Sequence, residues 1–393
     1  MDQTKKMHIL ILPSWYVNSF HPLSGIFFKE HAEALSKYNH TVGVIALNEI
    51  GIRELFRQKR MACSYKSYVQ NGVLTHTVEY PAIPKLMWLR KYIQFFIFKK
   101  MFKAYVGKHG LPDIIHLHSF YAGELAIWVK ERYGIPFVVT EHFSGFGRDV
   151  MGQKDIESAR KVYEAADYRI AVSKRFVSLL ESRFRQDFHY IPNMVNTDFF
   201  EAQSEHIQND GFIFINVAFL NQNKNQEMLI HAFTNAFKGE EKIKLTIVGD
   251  GPEYNRLAAL IDQLAMKKQI TLFGRATREE VRGLFQRSNV FVLSSRYETF
   301  GVSIIEALAS GLPVVATKCG GAQSIVDETV GLLCEIDVKD MGDKMIQMYE
   351  HQAEYNKSII QQYVRDHFSE GVIVGRLEGI YNQVISKRSR ISQ

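Results

Sequence analysis

Residues 290–324 read VFVLSSRYETFGVSIIEALASGLPVVATKCGGAQS and predict a strand, a loop, a helix and a second strand. The run Val290–Leu293 is short, apolar and rich in valine, as expected for a strand that is buried on both faces. The helix begins after Gly301, and Pro313–Ala316 forms the next strand. A strand–helix–strand unit of this kind indicates a parallel α/β sheet.

The same alternation of apolar runs and helical segments extends over the whole chain. Strands of a first series are expected at His8–Leu12, Thr41–Leu47, Ile114–Leu117, Pro136–Thr140 and Tyr168–Val172. Strands of a second series are expected at Phe212–Val217, Lys244–Val248, Ile270–Phe273, Val290–Leu293 and Pro313–Ala316. Two successive series predict two Rossmann-like, doubly wound parallel-sheet domains that face each other across a cleft. The boundary is expected in the polar segment 192–211.

Composition places the chain among globular proteins. Its 393 residues are 46% hydrophobic and 12% aromatic, which excludes intrinsic disorder. Residues 1–110 hold 16 basic and 6 acidic residues, whereas the whole chain holds 48 and 42, so the first part suggests an anionic partner. Three widely spaced cysteines, Cys63, Cys319 and Cys334, fit a reducing compartment and no zinc pattern.

The loop and helix after Val290–Leu293 predict an anion site. First-turn amides of a helix, here about Thr299 to Ser303, have no partner within the helix and suit a phosphate or diphosphate. Glu306 lies one turn further and can reach neutral hydroxyls such as those of a ribose, while Glu298 in the loop can reach a sugar beyond the phosphates. Each glutamate alone is better explained as part of a solvated face, so the prediction rests on their combination.

The combination resembles the retaining glycosyltransferases of family 4, which have the GT-B fold. Glu298 and Glu306 form E-x(7)-E, and the runs EALASGLPVVAT and GGAQSIV follow the family pattern. Weaker similarity covers NVAFLNQNKNQEMLIHAF with Lys224, the run VGDGPE, the linker Ile191–Asn196, and the strand ends PDIIHLH and VVTEH.

The resemblance implies domains at 1–195 and 196–369, the first on the acceptor side and the second binding the donor. A C-terminal helix at about 370–393 would return to the first domain. It also implies transfer of a sugar from a nucleotide diphosphate sugar to a hydroxyl of a saccharide or lipid-linked acceptor, with retention at the anomeric carbon. Surface polysaccharide or glycolipid biosynthesis would be the setting, without a metal or cofactor.

The residue roles carried over from the resemblance are as follows. Lys224, Glu298 and His118 would be catalytic, contacting the diphosphate, the transferred sugar and the region of the anomeric carbon. Glu306 would bind the ribose. Further donor contacts would come from Thr299, Phe300, Gly301, Val302, Gly25 and Arg275. His118 and His142 would lie on the acceptor side.

One departure from the family pattern weakens the expected donor site. The arginine that often precedes the lysine by five residues is replaced here by Phe219, and Arg275 or Arg296 could compensate. This change leaves room for an alternative, a nucleotide-sugar-binding, membrane-associated relative without strong transferase activity. A metal site at His116, His118 and His142 is a weaker hypothesis, because ligand spacing alone is a poor signal.

Segment 85–110 concentrates the positive charge. It holds seven basic residues and no acidic one, interleaved with aromatic residues. This pattern predicts either an interfacial helix on an anionic membrane or an ordinary helix that faces the core. The protein is expected to be cytoplasmic, and in the first case to lie at the inner face of the membrane. No nucleic-acid motif is present, so a nucleic-acid partner is not expected.

Overall fold

The computed structural model describes residues 6–21, 24–57, 64–82, 86–201 and 211–391. Cys63, Lys85 and most of the predicted linker, 202–210, lie outside the described residues. The described residues contain two β-sheets, one of eight strands and one of six, together with the helices between their strands.

The first sheet contains β1 (His8–Pro13), β2 (Thr41–Ile50), β3 (Ser64–Gln70), β4 (Val73–Pro81), β5 (Ile114–His118), β6 (Phe137–Glu141), β7 (Tyr168–Ala171) and β8 (His189–Tyr190). The strand order is β3-β4-β2-β1-β5-β6-β7-β8, and only the pairing of β3 with β4 is antiparallel. The helices of this half are α1 (Ile26–Lys37), α2 (Ile52–Arg57), α3 (Met87–His109), α4 (Gly123–Tyr133), α5 (Gln153–Ala165) and α6 (Lys174–Phe184).

After the short helix α7 (Thr197–Glu201), the second sheet follows. Its strands are β9 (Phe212–Val217), β10 (Ile243–Val248), β11 (Ile270–Gly274), β12 (Val290–Leu293), β13 (Val314–Thr317) and β14 (Gly331–Cys334). They are all parallel, in the order β11-β10-β9-β12-β13-β14. The helices are α8 (Gln226–Phe237), α9 (Tyr254–Gln263), α10 (Arg278–Gln286), α11 (Val302–Ala309), α12 (Val338–His351), α13 (Lys357–Phe368) and α14 (Glu370–Ile391).

Both faces of the parallel strands are buried, which explains their continuous apolar runs. In β1, Ile9 and Ile11 lie in a core cluster with Phe28 of α1, whereas Leu10 and Leu12 lie in another cluster with Phe102 of α3. Successive side chains of a strand point to opposite faces, so one uninterrupted run fills two cores. The predicted architecture of two doubly wound parallel-sheet domains is therefore confirmed.

The hairpin of β3 and β4 was not predicted from the sequence. Asn71 and Gly72 connect its strands, with φ angles of 48° and 78°. Positive φ at both central residues is the reason that Asn-Gly is the preferred two-residue hairpin turn. The signal was therefore present, but most of β3 is exposed and lacks the apolar run that marks the parallel strands.

Helix α3 carries segment 85–110 and has two different faces. Phe98, Phe102 and Tyr105 are fully buried against the first sheet. Trp88, Tyr92 and Phe96, which are four residues apart, remain between 62% and 70% exposed. The core-facing interpretation thus holds for one face, while the other presents a stripe of aromatic rings to solvent. Among the described residues, no helix is long and apolar enough to span a membrane.

The last helix, α14, packs on the first sheet although it follows the second in sequence. Leu377 and Tyr381 are buried in the same cluster as Ile9 and Ile11. Where the chain passes between the halves, the Val195 amide donates a hydrogen bond to the Phe368 carbonyl at 2.9 Å. The first sheet therefore takes part of its core from the C-terminal end of the chain.

Substituting Leu377→Ala should lower the free energy of unfolding by about 2–5 kcal/mol, the usual cost of an unfilled leucine site in a core. Urea titration followed by circular dichroism would measure the loss. Asn382→Ala, at an exposed position on the same helix, is the matched control and should change stability by less than about 0.5 kcal/mol. Equal stability of the two variants would contradict the structural role of α14.

Candidate active site

The central feature of the second sheet is the edge where the loops after β9 and β12 meet. These strands are neighbours at the point where the strand order reverses, which is where open α/β sheets bind ligands. The loops are joined by hydrogen bonds from the Asn223 side-chain amide to the Tyr297 carbonyl (2.9 Å) and from the Arg296 amide to the Asn223 carbonyl (2.7 Å). The Ser294 hydroxyl also donates to the Lys224 carbonyl at 2.8 Å.

Lys224 and Glu298 form an ion pair across these two loops. Lys224 Nζ lies 2.5 Å from Glu298 Oε1, and the Ser295 hydroxyl donates to the same oxygen at 2.7 Å. The side chains are 24% and 12% exposed, so a ligand entering the cleft can reach both. The structure therefore brings together two of the three residues that the sequence predicts to be catalytic.

The start of α11 completes this edge of the sheet. Ile304 donates to the Gly301 carbonyl, whereas the amides from Thr299 to Ser303 donate no hydrogen bond within the described part of the chain. Gly321 lies against this loop so closely that a Cβ atom there would come within 2.2 Å of the Phe300 oxygen. Glycine is thus required at 321, and the amides that the sequence predicts to bind an anion have no partner among the described residues.

Glu306 on α11 forms an ion pair with Arg278 that the sequence did not predict. Arg278 Nη1, at the start of α10, lies 3.3 Å from Glu306 Oε1 and 2.6 Å from Glu30 Oε1 on α1. Burial raises the pKa of Glu306, and burial raises that of Glu30 to about 7, although Arg278 acts in the opposite direction on both. Arg278 therefore links the two halves of the molecule at the predicted ribose-binding residue.

Four histidines, of which His116, His118 and His142 are buried and His31 is half-buried, form a network at the carboxyl end of the first sheet. His116 Nδ1 lies 2.6 Å from the Tyr381 hydroxyl, and its Nε2 lies 2.7 Å from Thr140 Oγ1. His118 Nδ1 lies 3.1 Å from His142 Nε2. His31 of α1 makes edge-on ring contacts with both His116 and His118, at 4.9 and 4.8 Å.

Ring nitrogens of His31, His116 and His118 lie within 4.8 Å of one another and are the one metal-ligand cluster of three in the described part of the chain. Both nitrogens of His116 already have partners, whereas the Nε2 atoms of His31 and His118 have none. A metal bound by all three would displace Tyr381 or Thr140 from His116. The cluster differs from the hypothesis considered from the sequence, since His31 takes the place of His142.

Residues 24–199 match the family described as glycosyltransferase family 4, and residues 198–365 match the glycosyl transferases group 1. The chain belongs to glycosyltransferase family 4.

Relatives and solved structures agree with this assignment. An N-acetyl-alpha-D-glucosaminyl L-malate synthase of Bacillus anthracis is 24% identical over 72% of this chain and 77% of its own length. An alpha-monoglucosyldiacylglycerol synthase of Acholeplasma laidlawii is 27% identical over 59% of this chain and 66% of its own length. The crystal structure of Anabaena HepE in complex with UDP-glucose covers 96% of this chain and all of that one, with a TM-score of 0.73 and 16% identity. The last comparison shows that the fold is GT-B.

Two further residues predicted from the family pattern, Gly25 and His118, differ in whether they reach the surface of this glycosyltransferase cleft. Gly25 caps α1 with a φ of +68°, and a Cβ atom there would come within 2.7 Å of the Trp15 carbonyl oxygen. His118 is fully buried beneath α1, with its ring 4.7 Å from that of Phe28. Gly25 thus fixes how α1 begins at the cleft, but His118 does not reach the cleft surface in this conformation.

The cations that could replace the missing arginine are already engaged. Arg275 lies on the surface and pairs with Asp250 at 3.1 Å. Arg296 donates to the Asn225 side-chain oxygen at 3.1 Å, while Phe219 itself is largely exposed. Lys224 is therefore the cation that the structure places directly beside Glu298.

Acid should destabilise the protein through the histidine network. Burial lowers the pKa of His31 to about 4 and that of His142 to about 3, and it holds those of His116 and His118 well below 6.5. The unfolded chain gains these protons near pH 6.5, whereas the folded protein gains them only in stronger acid. The stabilisation is thus complete above pH 6.5 and falls with decreasing pH, by up to about 1.4 kcal/mol per pH unit for each histidine.

Urea titrations between pH 4.5 and 7.5 would measure this dependence. In His31→Gln, the free energy of unfolding should change less steeply with pH than in the unmodified protein. His351→Gln removes an exposed histidine whose pKa is raised by a hydrogen bond with Glu354, and it should retain the steep acid loss. The idea fails if both variants keep the original slope.

Proposed function

We propose that this glycosyltransferase moves a sugar from a nucleotide diphosphate sugar to a hydroxyl of a saccharide or lipid-linked acceptor, with retention of anomeric configuration. The observation that carries the proposal is the Lys224–Glu298 pair beside the unpaired amides of the α11 start. Together these groups provide a cation and several N–H donors for a diphosphate, and a carboxylate for sugar hydroxyls. HepE, which shares the fold, binds UDP-glucose.

Donor binding is assigned to residues 196–369, and acceptor binding to residues 1–195 with the helix at 370–393. Glu306 would accept hydrogen bonds from the ribose, and the amides of Thr299 to Val302 would hold the diphosphate. Ribose binding would compete with Arg278 for the Glu306 carboxylate, so donor entry would alter the contact between the halves. Arg275, exposed and paired with Asp250, would contribute at most at the periphery of the donor site.

In the transfer step, the bond from the anomeric carbon to the diphosphate oxygen breaks as a bond to the acceptor oxygen forms on the same face of the sugar. The acceptor proton passes to the departing diphosphate, so no enzyme nucleophile is required. Lys224 and the α11 amides would stabilise the charge that develops on the leaving group, and a donor of this kind is typically worth about 3–4 kcal/mol of the barrier. Because they supply positive charge, we also propose that the reaction needs no metal.

His118 would take part only after the cleft rearranges. Its Nε2 atom is buried and unpartnered, and burial keeps the ring neutral by lowering its pKa. A neutral imidazole can donate or accept one hydrogen bond with a sugar hydroxyl. Phe28 and the start of α1 would have to move to uncover His118, because the Phe28 ring packs against the His118 ring. His142, hydrogen-bonded to His118, would hold the ring in place from the acceptor side.

A screen of nucleotide sugars with mass-spectrometric detection of product tests the function. Glu306→Gln should weaken donor binding roughly 10- to 100-fold in calorimetry, the effect of losing a charged hydrogen-bond acceptor. Lys224→Met should reduce kcat about 10²- to 10³-fold. Glu335→Gln, which removes an exposed carboxylate paired with Lys318, is the control and should change neither quantity.

Two measurements on the same reaction test retention of the anomeric configuration and independence of a metal ion. NMR of the product should show the anomeric configuration of the donor, and the rate should be unaffected by EDTA. Inverted product would reject the same-face step, and loss of activity with EDTA would reject metal independence. The transferase function itself is wrong if no nucleotide sugar binds at millimolar concentration.

We further propose that the exposed face of α3 places the enzyme on the cytoplasmic surface of an anionic membrane. Trp88, Tyr92 and Phe96 form one stripe, and Lys100 and Lys103 are exposed further along the helix. Aromatic rings beside cations suit the headgroup region of a membrane, where the rings insert and the cations meet lipid phosphates. The A. laidlawii relative is named for a glycolipid product, which agrees with an acceptor in a membrane.

Pelleting with vesicles tests the membrane proposal. Vesicles containing phosphatidylglycerol should sediment the protein, and 0.5 M salt should release most of it, because anionic attraction is screened. The triple variant Trp88→Ser, Tyr92→Ser, Phe96→Ser should remain in solution, whereas Ile359→Ser, at an exposed apolar position on α13, should sediment normally. Equal sedimentation with neutral vesicles would contradict the proposal.

A further inference from the structure

A cavity lies at the carboxyl end of the first sheet, away from the Lys224–Glu298 ion pair. It has a volume of about 590 Å³ and is bounded by the loop after β1, the first half of α3 and the start of α5. This volume falls within the range of ligand sites, about 300–1,000 Å³. Under the proposed function, this half of the molecule binds the acceptor, and the following inference rests on that assignment.

The charged side chains of the cavity wall balance one another. Arg90 pairs with Glu49, and Lys91 Nζ lies 2.6 Å from Glu124 Oε1. Among the wall residues that the structure describes, the remaining charges are Lys154 and its neighbour Asp155. Three cations therefore face three carboxylates, and the positive charge of the first 110 residues is not concentrated in this cavity. An anionic ligand would have to compete with the carboxylates that already hold Arg90 and Lys91.

Aromatic rings provide the principal apolar surface of the cavity. Tyr121 is 44% exposed, and its ring contacts those of Phe120 at 4.1 Å and Phe143 at 5.2 Å, which fixes its orientation. Trp15 and Phe95 contribute further aromatic wall. A fixed, half-exposed ring offers a flat apolar face to the C–H groups on one side of a sugar ring, while its hydroxyl can bond to a neighbouring sugar oxygen.

Two polar atoms of wall residues lack partners. Asn48 Nδ2 and Glu49 Oε1 are buried and make no hydrogen bond within the described part of the chain. One is a donor and the other an acceptor, and neither atom reaches the cavity surface in this conformation, so ligand hydroxyls bond to them only after the two side chains turn toward the cavity. A carboxylate or phosphate could satisfy only the donor and would be repelled by the glutamate. Sites with unsatisfied polar groups discriminate strongly against ligands that leave them unpaired.

We propose that this cavity binds a neutral saccharide unit of the acceptor, with Tyr121 as the ring on which the sugar packs. The charge-paired wall and the unsatisfied Asn48 and Glu49 atoms select a hydroxyl-rich, uncharged ring over a uronic acid or a sugar phosphate. A lipid-linked acceptor would then present its neutral sugar here and keep its phosphate outside the cavity.

Binding of methyl glycosides, measured by saturation-transfer NMR on the full chain with UDP present, tests the proposal. Neutral methyl glucoside or galactoside should bind at least tenfold more tightly than the matched methyl glucuronide or sugar 6-phosphate. Tyr121→Ala should weaken the binding of the neutral glycoside at least tenfold, and Tyr121→Phe, which keeps the ring, by no more than about threefold. Tyr349→Ala, at a partly exposed ring on α12 in the other half of the molecule, is the control and should leave binding unchanged.

Tighter binding of the glucuronide or phosphate, absence of binding by every glycoside, or an undiminished affinity in Tyr121→Ala would each overturn the proposal. Hydrolysis of a nucleotide sugar, assayed separately, reports on the donor site. Retained hydrolysis with no preference for neutral glycosides would reject this inference alone, whereas failure to bind any nucleotide sugar would reject the proposed function. Normal donor hydrolysis in Tyr121→Ala would show that the variant is folded.

Discussion

The ion pair between Lys224 and Glu298 is the contact on which the arrangement of the candidate site depends. It joins the loops after β9 and β12 and partly shields two opposite charges from water. Breaking a buried pair by removing one partner is costly, because the other charge remains without compensation. A substrate that separates the two must therefore provide a new partner for each. A phosphorylated sugar can do so, since its phosphates attract the lysine and its hydroxyls can bond to the glutamate.

The positions of these residues follow from the parallel sheet. In such sheets the carboxyl ends of all strands lie at one edge, so loops far apart in sequence converge there. Lys224 and Glu298 are brought together because β9 and β12 are adjacent. The same rule in the first sheet places His118 and His142 side by side, after β5 and β6. The two edges face each other across the cleft of the GT-B fold, with Arg278 linking them.

The sequence was sufficient to predict the sheets and the convergence of Lys224 and Glu298 at one sheet edge, because both depend on local patterns. Buried parallel strands need continuous apolar runs, and the E-x(7)-E spacing fixes Glu298 in a loop and Glu306 one turn into a helix. Arg278, Glu30 and His31 could not be found in this way, because their partners come from distant elements and their own segments read as ordinary helices. The burial of His118 was missed for the same reason, since it depends on how α1 packs over β5.

The passage of the chain between the halves has a mechanical consequence. Val195 and Ser369 form a parallel bridge, so the outgoing and returning chain segments run side by side. Two adjacent tethers resist twisting about their common direction more than bending across it. We expect the halves to open and close chiefly by bending about an axis that crosses these two segments, while α14 moves with the first sheet.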